Sequence, residues 1–362
     1  MSFEPDYRFL EDVMHNRRPA RLPIYEHAIS PGIMEIILGV EFAALMDGGP
    51  NEAREFFRHY SGFWKKMTYD TVTFEYCITA ILPGGGAIMG GKPGPIQSRA
   101  DFESYPWAEI PELFWRKAGP LFDALPSSLP PGMKAIGGIG NGVFELSEDL
   151  VGLEYLPFVQ VDDPELYAEL FKKIGDLMLT IWQRFLAEYK DAFVACRFGD
   201  DLGFKSSLLT NPQTIRNHIL PQYRRIIDAV HAAGKPFLLH SCGCIFSVME
   251  DIINLGIQAK HSNEDSIAPF DRWIGLYGSR IGLLGGFDMD FLCRKSPEEI
   301  RAAVVEQGTR FREMARGYAL GSGNSIPDYV PVENYLAMIE GARLIRAQEN
   351  RGERPKQIRP GS

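Results

Sequence analysis

His240 and Cys242 are the residues of this chain whose types and spacing most directly suggest chemistry. They stand two positions apart, directly after a short apolar segment. Alternate residues of an extended segment point the same way, so both side chains can face one cavity. An imidazole and a thiolate are good zinc ligands, and the pair predicts a zinc site. The alternative is a buried histidine hydrogen-bonded to the backbone, with Cys242 and Cys244 packed at a helix start.

An acidic pair follows another apolar segment. Asp200 and Asp201 stand after Arg197, and repulsion between two carboxylates can raise one pKa and produce a proton donor. The same pair can instead cap and solvate the loop before the next helix. Arg197 can neutralise the pair or hold a substrate carboxylate through two hydrogen bonds. We predict catalytic roles for these three residues.

Polar residues also follow the remaining apolar segments. His261 stands near Glu264. The two can be a metal-ligand pair, an acid–base group or simply polar residues of an exposed loop. Four further residues are predicted to contact substrate: Glu75, Tyr76, Asn141 and Asn324.

Short apolar segments alternate with long helical patterns along the chain. The predicted strands are residues 22–25, 71–76, 133–138, 192–198, 236–240, 257–260, 280–284 and 317–320. The predicted helices are residues 164–190, 212–233, 244–255, 297–316 and 331–347. Several of these helices open with proline or aspartate, and three lead into a glycine before the next strand, as helix ends do.

Strand–helix alternation predicts parallel strand pairing, because each helix returns the chain to the same end of the sheet. Eight such units fit an α/β fold, a single (β/α)8 TIM barrel over residues 1–362, with an open doubly wound sheet as the alternative. The carboxyl ends of the strands would then bring the polar residues together at one mouth. We predict an N-terminal helical extension at residues 1–20, further N-terminal helices and a mobile tail at 348–362. Residues 86–92 resemble a phosphate-binding loop, but Pro93 follows where Ser or Thr would bind magnesium, so they predict a hairpin or flap.

Composition excludes several classes of function. The chain of 362 residues carries 38 basic and 47 acidic residues, a net charge of −9. This balance repels phosphate backbones and anionic lipid, so we expect neither nucleic-acid nor membrane binding. Five scattered cysteines do not suggest a secreted disulfide framework, and the N-terminus shows no signal peptide. These features predict a cytoplasmic protein.

Several segments between residues 130 and 347 resemble the uroporphyrinogen decarboxylase superfamily. The segments that carry the resemblance are Gly199-Asp-Asp-Leu-Gly203, Ile219-Leu-Pro221, residues 234–243, residues 277–288 and Ile326-Pro-Asp-Tyr-Val-Pro-Val-Glu-Asn334. The resemblance implies a (β/α)8 barrel. True uroporphyrinogen decarboxylases carry an N-terminal Gln-Ala-Gly-Arg motif and an aspartate after the second strand. This chain has Leu22-Pro-Ile-Tyr-Glu26-His27 and Glu75-Tyr76 there, so it resembles the cobamide-dependent methyltransferase branch more closely.

That branch binds zinc through His-x-Cys and a distant cysteine. His240 and Cys242 match the first two ligands, but alignment of Leu320-Gly-Ser322-Gly323 places Ser322 at the third position. A hydroxyl is a much poorer zinc ligand than a thiolate at neutral pH. Either another group, with Glu26 and His261 as candidates, completes the site, or the metal has been lost.

The resemblance implies three functional hypotheses. The first is a zinc-assisted methyltransferase that moves a methyl group between a corrinoid (a methylcobamide) on a partner protein and a small thiol or methoxylated compound. The second is a decarboxylase or related lyase, and the third is a degenerate member that binds a corrinoid or small ligand without turnover. In the first, Asp200 or Asp201 transfers protons while Arg197 and Asn324 orient substrate. A homodimer is also compatible with the sequence.

Overall fold

The computed structural model describes residues 3–352 of the chain. These residues form a mixed α/β fold around one parallel sheet. The sheet contains seven strands within these residues, each hydrogen-bonded to the next in chain order. Their bounds are Thr71–Cys77 (β1), Lys134–Gly140 (β2), Phe193–Gly199 (β3), Phe237–His240 (β4), Ala259–His261 (β5), Gly282–Phe287 (β6) and Tyr318–Ser322 (β7).

Helices precede, connect and follow the strands. The α-helices are Arg8–Met14 (α1), Pro31–Leu38 (α2), Pro50–Lys66 (α3), Arg99–Ser104 (α4), Ile110–Ser128 (α5), Val143–Val151 (α6), Leu156–Asp162 (α7), Pro164–Glu188 (α8), Pro212–Thr214 (α9), Leu220–Ala232 (α10), Phe246–Asn254 (α11), Phe270–Tyr277 (α12), Met289–Arg294 (α13), Pro297–Met314 (α14) and Val332–Asn350 (α15). A π-helical turn at Ile215–Ile219 joins α9 to α10.

The expectation of eight strands is not confirmed, because residues 22–25 form only a single bridge, Ile24 to Leu320. On one side, the N–H of Tyr25 donates to the carbonyl of Leu320. On the other side, the Glu26 carbonyl accepts from the hydroxyl of Thr73 in β1, not from a backbone N–H. Pro23 has no N–H to contribute to a ladder, which is why the segment lies beside β7 without extending as a strand.

Residues 86–92, predicted as a hairpin or flap, do not form a hairpin. The segment contains one 3₁₀ turn, Ala87–Met89, between glycines with left-handed backbone angles. These angles, +101° at Gly86 and +79° at Gly90, interrupt the alternation that a strand requires. The carboxylate of Asp149 in α6 accepts the Gly86 N–H at 2.7 Å and holds the segment against that helix.

Two hydrophobic cores lie on opposite faces of the sheet. The larger one fills the space between the strands and the surrounding helices. The smaller one lies on the other face, which is the inner face of the curled sheet. It includes Leu238, Ala259 and Ala319 from three strands, with Leu10 and Val13 of α1 packed among them. Side chains alternate between the two cores along the strands except at the start of β3, where the register with β2 shifts and two consecutive residues belong to the smaller core. Elsewhere, residues two positions apart on a strand occupy the same face of the sheet.

Within residues 3–352, no helix is both long enough and apolar enough to cross a membrane. The predicted N-terminal extension contains α1, and α15 continues to Asn350. The remainder of the predicted tail, from residue 353, lies outside the described residues.

Candidate functional site: a histidine–cysteine pair at the carboxyl end of the sheet

The parallel sheet places His240 and His261 beside each other. His240 ends β4, His261 ends β5, and the two residues are register partners. Leu238 belongs to the inner core, so His240, two residues later, projects to the inner face. Cys242 follows immediately, and its Sγ lies 3.4 Å from His240 Nε2.

Hydrogen bonds determine which nitrogen of each ring carries the proton. The carbonyl of Ser322 can only accept, so His261 Nε2, at 3.0 Å from it, must donate. His261 Nδ1 is then an acceptor for the Nδ1–H of His240, at 2.8 Å. His240 Nε2 is left with its lone pair directed at Cys242. Burial lowers the pKa of His261 to about 3 and that of His240 well below its usual value, so both rings are neutral.

The thiol of Cys242 has polar neighbours on several sides. Asn324 Nδ2 donates to Sγ at 3.4 Å, and the thiol donates to the Ser262 hydroxyl at 3.7 Å. The backbone N–H of Cys242 donates to Asp201 Oδ1 at 2.9 Å. Burial, followed by the nearby negative charge of Asp201, raises the pKa of the thiol.

Two sets of side chains in the described residues bring three metal-ligating atoms within 4.8 Å of one another. The first is Asp201, His240 and Cys242. The second is His27, His240 and His261, but both nitrogens of His261 already have hydrogen-bond partners. The first set therefore offers the better metal site.

His27 belongs to this site although the sequence analysis assigned it no role. Its ring stacks on that of His240, with centroids 3.6 Å apart and an interplanar angle of 23°. Its position immediately after Glu26, at the end of the first predicted strand, was the available signal.

The predicted metal candidate Glu26 is buried and bound to Ser322. Its Oε1 accepts the Ser322 N–H at 2.9 Å, and its other oxygen is paired with the Ser322 hydroxyl, which also contacts the carbonyl of Asn324. Burial raises the pKa of Glu26 to about 8. A protonated Glu26 can donate to the serine oxygen while the serine donates onward to Asn324.

Asp200 is fully buried, and both of its carboxylate oxygens have protein partners. They accept the backbone N–H groups of Phe144 and Glu145 at 2.9 and 2.8 Å, at the first turn of α6, and the hydroxyl of Tyr223. Burial raises the pKa of Asp200 to about 7. Asp201 differs from it, since its side chain reaches the Cys242 loop.

Arg197 also projects to the inner face and is almost fully buried. Its guanidinium binds Glu75, at 2.7 Å, the hydroxyl of Tyr25, at 2.7 Å, and the carbonyl of His27, at 3.1 Å. The predicted catalytic Arg197 and the predicted substrate contact Glu75 are thus an ion pair. Its catalytic role stays a prediction.

The other predicted substrate contacts are distributed around the same end of the sheet. Asn141 binds Thr79 and donates to Glu145 at 2.8 Å. Tyr76 packs edge-on against Phe114 of α5, because its neighbour Glu75 occupies the inner face. Asn324 Nδ2 contacts both Cys242 and Glu264, the latter at 3.0 Å.

Asn324, whose amide contacts Cys242, lines a cavity of about 370 Å³ together with Glu264. The other charged residues in its wall are Asp288, Asp290 and Lys205, and Tyr329 also lines it. Carboxylates outnumber cations there, so the field favours neutral or cationic compounds over anions.

Lys260 was also missed by the sequence analysis. Its ammonium donates to the carbonyls of Ser241 and Ser262 and lies 4.2 Å from the ring centroid of Trp273. Burial lowers its pKa to about 7. Lys260 therefore ties together the two loops that follow β4 and β5.

Sequence comparison identifies the family to which this fold and site belong. A model of uroporphyrinogen decarboxylase (URO-D) matches residues 65–344, most of the chain. The chain belongs to the uroporphyrinogen decarboxylase family. No curated protein matches it at the sequence level.

The solved structures similar to this family member include a methyltransferase and a xylanase. A methyltransferase from Methanosarcina mazei has a TM-score of 0.74 and 15% sequence identity, covering 94% of this chain and 99% of that chain. At this identity the similarity establishes the fold alone. An intracellular xylanase from Thermoanaerobacterium saccharolyticum has a TM-score of 0.41 and 12% identity, covering 90% of each chain.

Proposed function

We propose that this protein is a zinc-dependent methyltransferase that exchanges a methyl group between a small thiol or methoxylated compound and a corrinoid carried by a partner protein. The observation that carries the proposal is the His240 Nε2 lone pair directed at Cys242 Sγ, 3.4 Å away. The fold shared with a methyltransferase from Methanosarcina mazei supports it.

The residues present fit a zinc ion. Tetrahedral zinc with a nitrogen ligand near 2.1 Å and a sulfur ligand near 2.3 Å separates the two ligand atoms by about 3.5 Å. His240 and Cys242 match that separation and would hold the ion. When bound, zinc supplies a Lewis acid that lowers the pKa of a thiol or polarises an ether oxygen.

The chain's own residues orient the pair and the substrate. His261 fixes the ring of His240 through the Nδ1 contact, and Asn324 stabilises the cysteine sulfur with its amide. The cavity lined by Asn324 is of a size suited to a small substrate. Its acidic wall favours a neutral methoxylated compound over an anionic thiol.

The decarboxylase alternative receives less support from the geometry. A carboxylate-rich substrate needs accessible cations, but Arg197 is buried and paired with Glu75, and Lys205 shares the cavity wall with three carboxylates. The partner corrinoid protein, a homodimer and a cytoplasmic location stay predictions of the sequence analysis.

Metal analysis combined with a methyl-transfer assay tests the proposal. We expect purified, zinc-reconstituted protein to hold one equivalent of zinc and to transfer methyl groups between free methylcobalamin and a thiol, or from a methoxylated compound to cob(I)alamin. His240→Ala and Cys242→Ala should lose zinc and activity, whereas His15→Ala, at an exposed histidine, should keep both. Reconstituted protein without zinc or methyl transfer, or with turnover of uroporphyrinogen, would overturn the proposal.

A further inference from the structure

We infer that Asp201 supplies the third protein ligand of the metal site formed by His240 and Cys242, in place of the third thiolate implied by the family resemblance. The inference rests on the proposed zinc-dependent function, and it assigns a ligand set of one imidazole, one thiolate and one carboxylate.

The geometry of the three side chains carries the inference. A carboxylate oxygen of Asp201, a ring nitrogen of His240 and Sγ of Cys242 lie within 4.8 Å of one another. Asp201 comes from the loop after β3, whereas the other two come from β4 and the loop that follows it. Ligands from two neighbouring strand ends thus converge on one point, as they do at the carboxyl end of other parallel sheets.

Close loop contact fixes Asp201 in this position. Cys244 donates its backbone N–H to the carbonyl of Phe204 at 2.7 Å, so the two loops are hydrogen-bonded to each other. A Cβ atom at Gly243 would lie 2.0 Å from the carbonyl oxygen of Gly203. Only glycine permits this approach, and the approach brings the Asp201 carboxylate to Cys242.

Ser322, at the position of the missing thiolate, is turned the other way. Leu320 of β7 belongs to the core between the sheet and the helices, and Ser322, two residues later, projects to the same side by alternation. Its hydroxyl is bound to Glu26 and to the carbonyl of Asn324. His240, in contrast, projects to the inner face.

Charge balance also favours the carboxylate. One thiolate and one carboxylate together neutralise a divalent zinc ion, as two thiolates would. A neutral serine hydroxyl would leave one positive charge uncompensated in a largely buried site, which is costly. Carboxylate oxygens are established zinc ligands, although harder than thiolates.

Zinc affinity provides the first test, with the wild-type protein as reference. Asp201→Asn retains the shape of the side chain but loses its charge, and we expect its zinc affinity in chelator competition to fall at least about tenfold. Ser322→Ala should stay within about twofold of the wild type, because its hydroxyl is not a ligand. Asp228→Asn, at an exposed carboxylate of α10, is the matched control and should also be unchanged.

Cobalt(II) spectroscopy identifies the ligand directly and requires no enzymatic activity. We expect cobalt-loaded wild type to show a thiolate-to-metal charge-transfer band with the intensity typical of one coordinating thiolate. Asp201→Cys should approximately double its intensity, whereas Ser322→Cys should leave it unchanged.

The possible failures are separable. Wild type that binds neither zinc nor cobalt would refute the proposed function. Wild type that binds metal, with folded Asp201→Asn of equal affinity, would overturn this inference alone. A doubled charge-transfer intensity in Ser322→Cys but not in Asp201→Cys would place the third ligand at position 322 and would likewise overturn the inference.

Discussion

His261 lies between the backbone and the proposed metal ligand, and this gives it an orienting role. Its Nε2–H donates to the Ser322 carbonyl, so its Nδ1 must accept the Nδ1–H of His240. Nε2 of His240 is therefore available for a metal. A hydrogen-bond partner on the nitrogen that does not bind the metal sets both the tautomer and the basicity of a ligating histidine.

Loss of that contact should weaken metal binding. His261→Phe removes the acceptor for His240 Nδ1–H, and we expect zinc affinity to decrease by about 10- to 100-fold. Chelator competition measures this, with His231→Phe as the control. Cobalt-loaded His261→Phe should keep the positions of its d–d bands. A shift of those bands would contradict the orienting role and make His261 a ligand.

Glu26 gives the protein a stability that depends on pH. Its folded pKa of about 8 lies above its ordinary value of 4.5, so the folded state binds more protons between these limits. Its contribution is therefore fully present below pH 4.5 and is lost as the pH rises through 8. The integrated loss is at most about 5 kcal/mol.

A neutral mimic of the protonated side chain should remove this dependence. Glu26→Gln can keep both contacts with Ser322, and we expect its free energy of unfolding to exceed that of the wild type increasingly from pH 5 to pH 8.5. Urea denaturation across this range measures the difference, with exposed Glu41→Gln as the control. Parallel pH profiles for wild type and Glu26→Gln would rule out a protonated Glu26.

The loops after β3 and β4 act as one unit at the site. Gly243 has φ of +82°, and it packs against the backbone of Gly203. Gly234 has a similar φ of +75° but no atom within 4 Å of its potential Cβ. Substitution at the two positions therefore distinguishes the cost of a positive φ from the cost of disturbing the contact between the loops.

Alanine at each position should distinguish these effects. Gly234→Ala should cost about 1 kcal/mol of unfolding free energy through backbone strain and should leave zinc affinity unchanged. Gly243→Ala should cost more and also lower zinc affinity, because the added methyl pushes the Asp201 loop away from Cys242. Thermal unfolding and chelator competition measure the two quantities, and equal effects from both variants would refute the loop contact.

The molecule divides its functions between the two ends of the sheet. The proposed metal ligands lie at the carboxyl ends of the strands. At the opposite end, immediately before β1, buried Asp70 binds Arg21, Arg346 and the backbone N–H of Asp6. This ion network joins the N-terminal segment to α15, far from the site, which is the usual division in barrel-like α/β proteins.

Disruption of that network should change stability and not metal binding. Asp70→Asn leaves the buried guanidinium of Arg346 uncompensated, and we expect a loss of about 3 kcal/mol. Asp251→Asn, which breaks an exposed pair with Arg216, should cost less than about 1 kcal/mol. Urea denaturation and zinc titration measure both effects. A fall in zinc affinity for folded Asp70→Asn would contradict the separation of the two ends.

The sequence by itself determined the order and approximate bounds of β1 to β7, because apolar segments separated by helical patterns are local signals. It also placed the His240–Cys242 pair at a strand end. The strand predicted at residues 22–25 is present only as a parallel bridge, because Pro23 weakens pairing, and residues 86–92 form no hairpin, because the left-handed glycines set the backbone.

Only the tertiary structure decided which groups meet. Asp201 reaches Cys242 from 41 residues away, His261 orients His240, and Ser322 turns to Glu26. Such contacts depend on strand register, on which face each strand-end residue occupies, and on the approach of two loops at Gly243. These are distances between segments remote in the chain, and no local pattern of residue types encodes them.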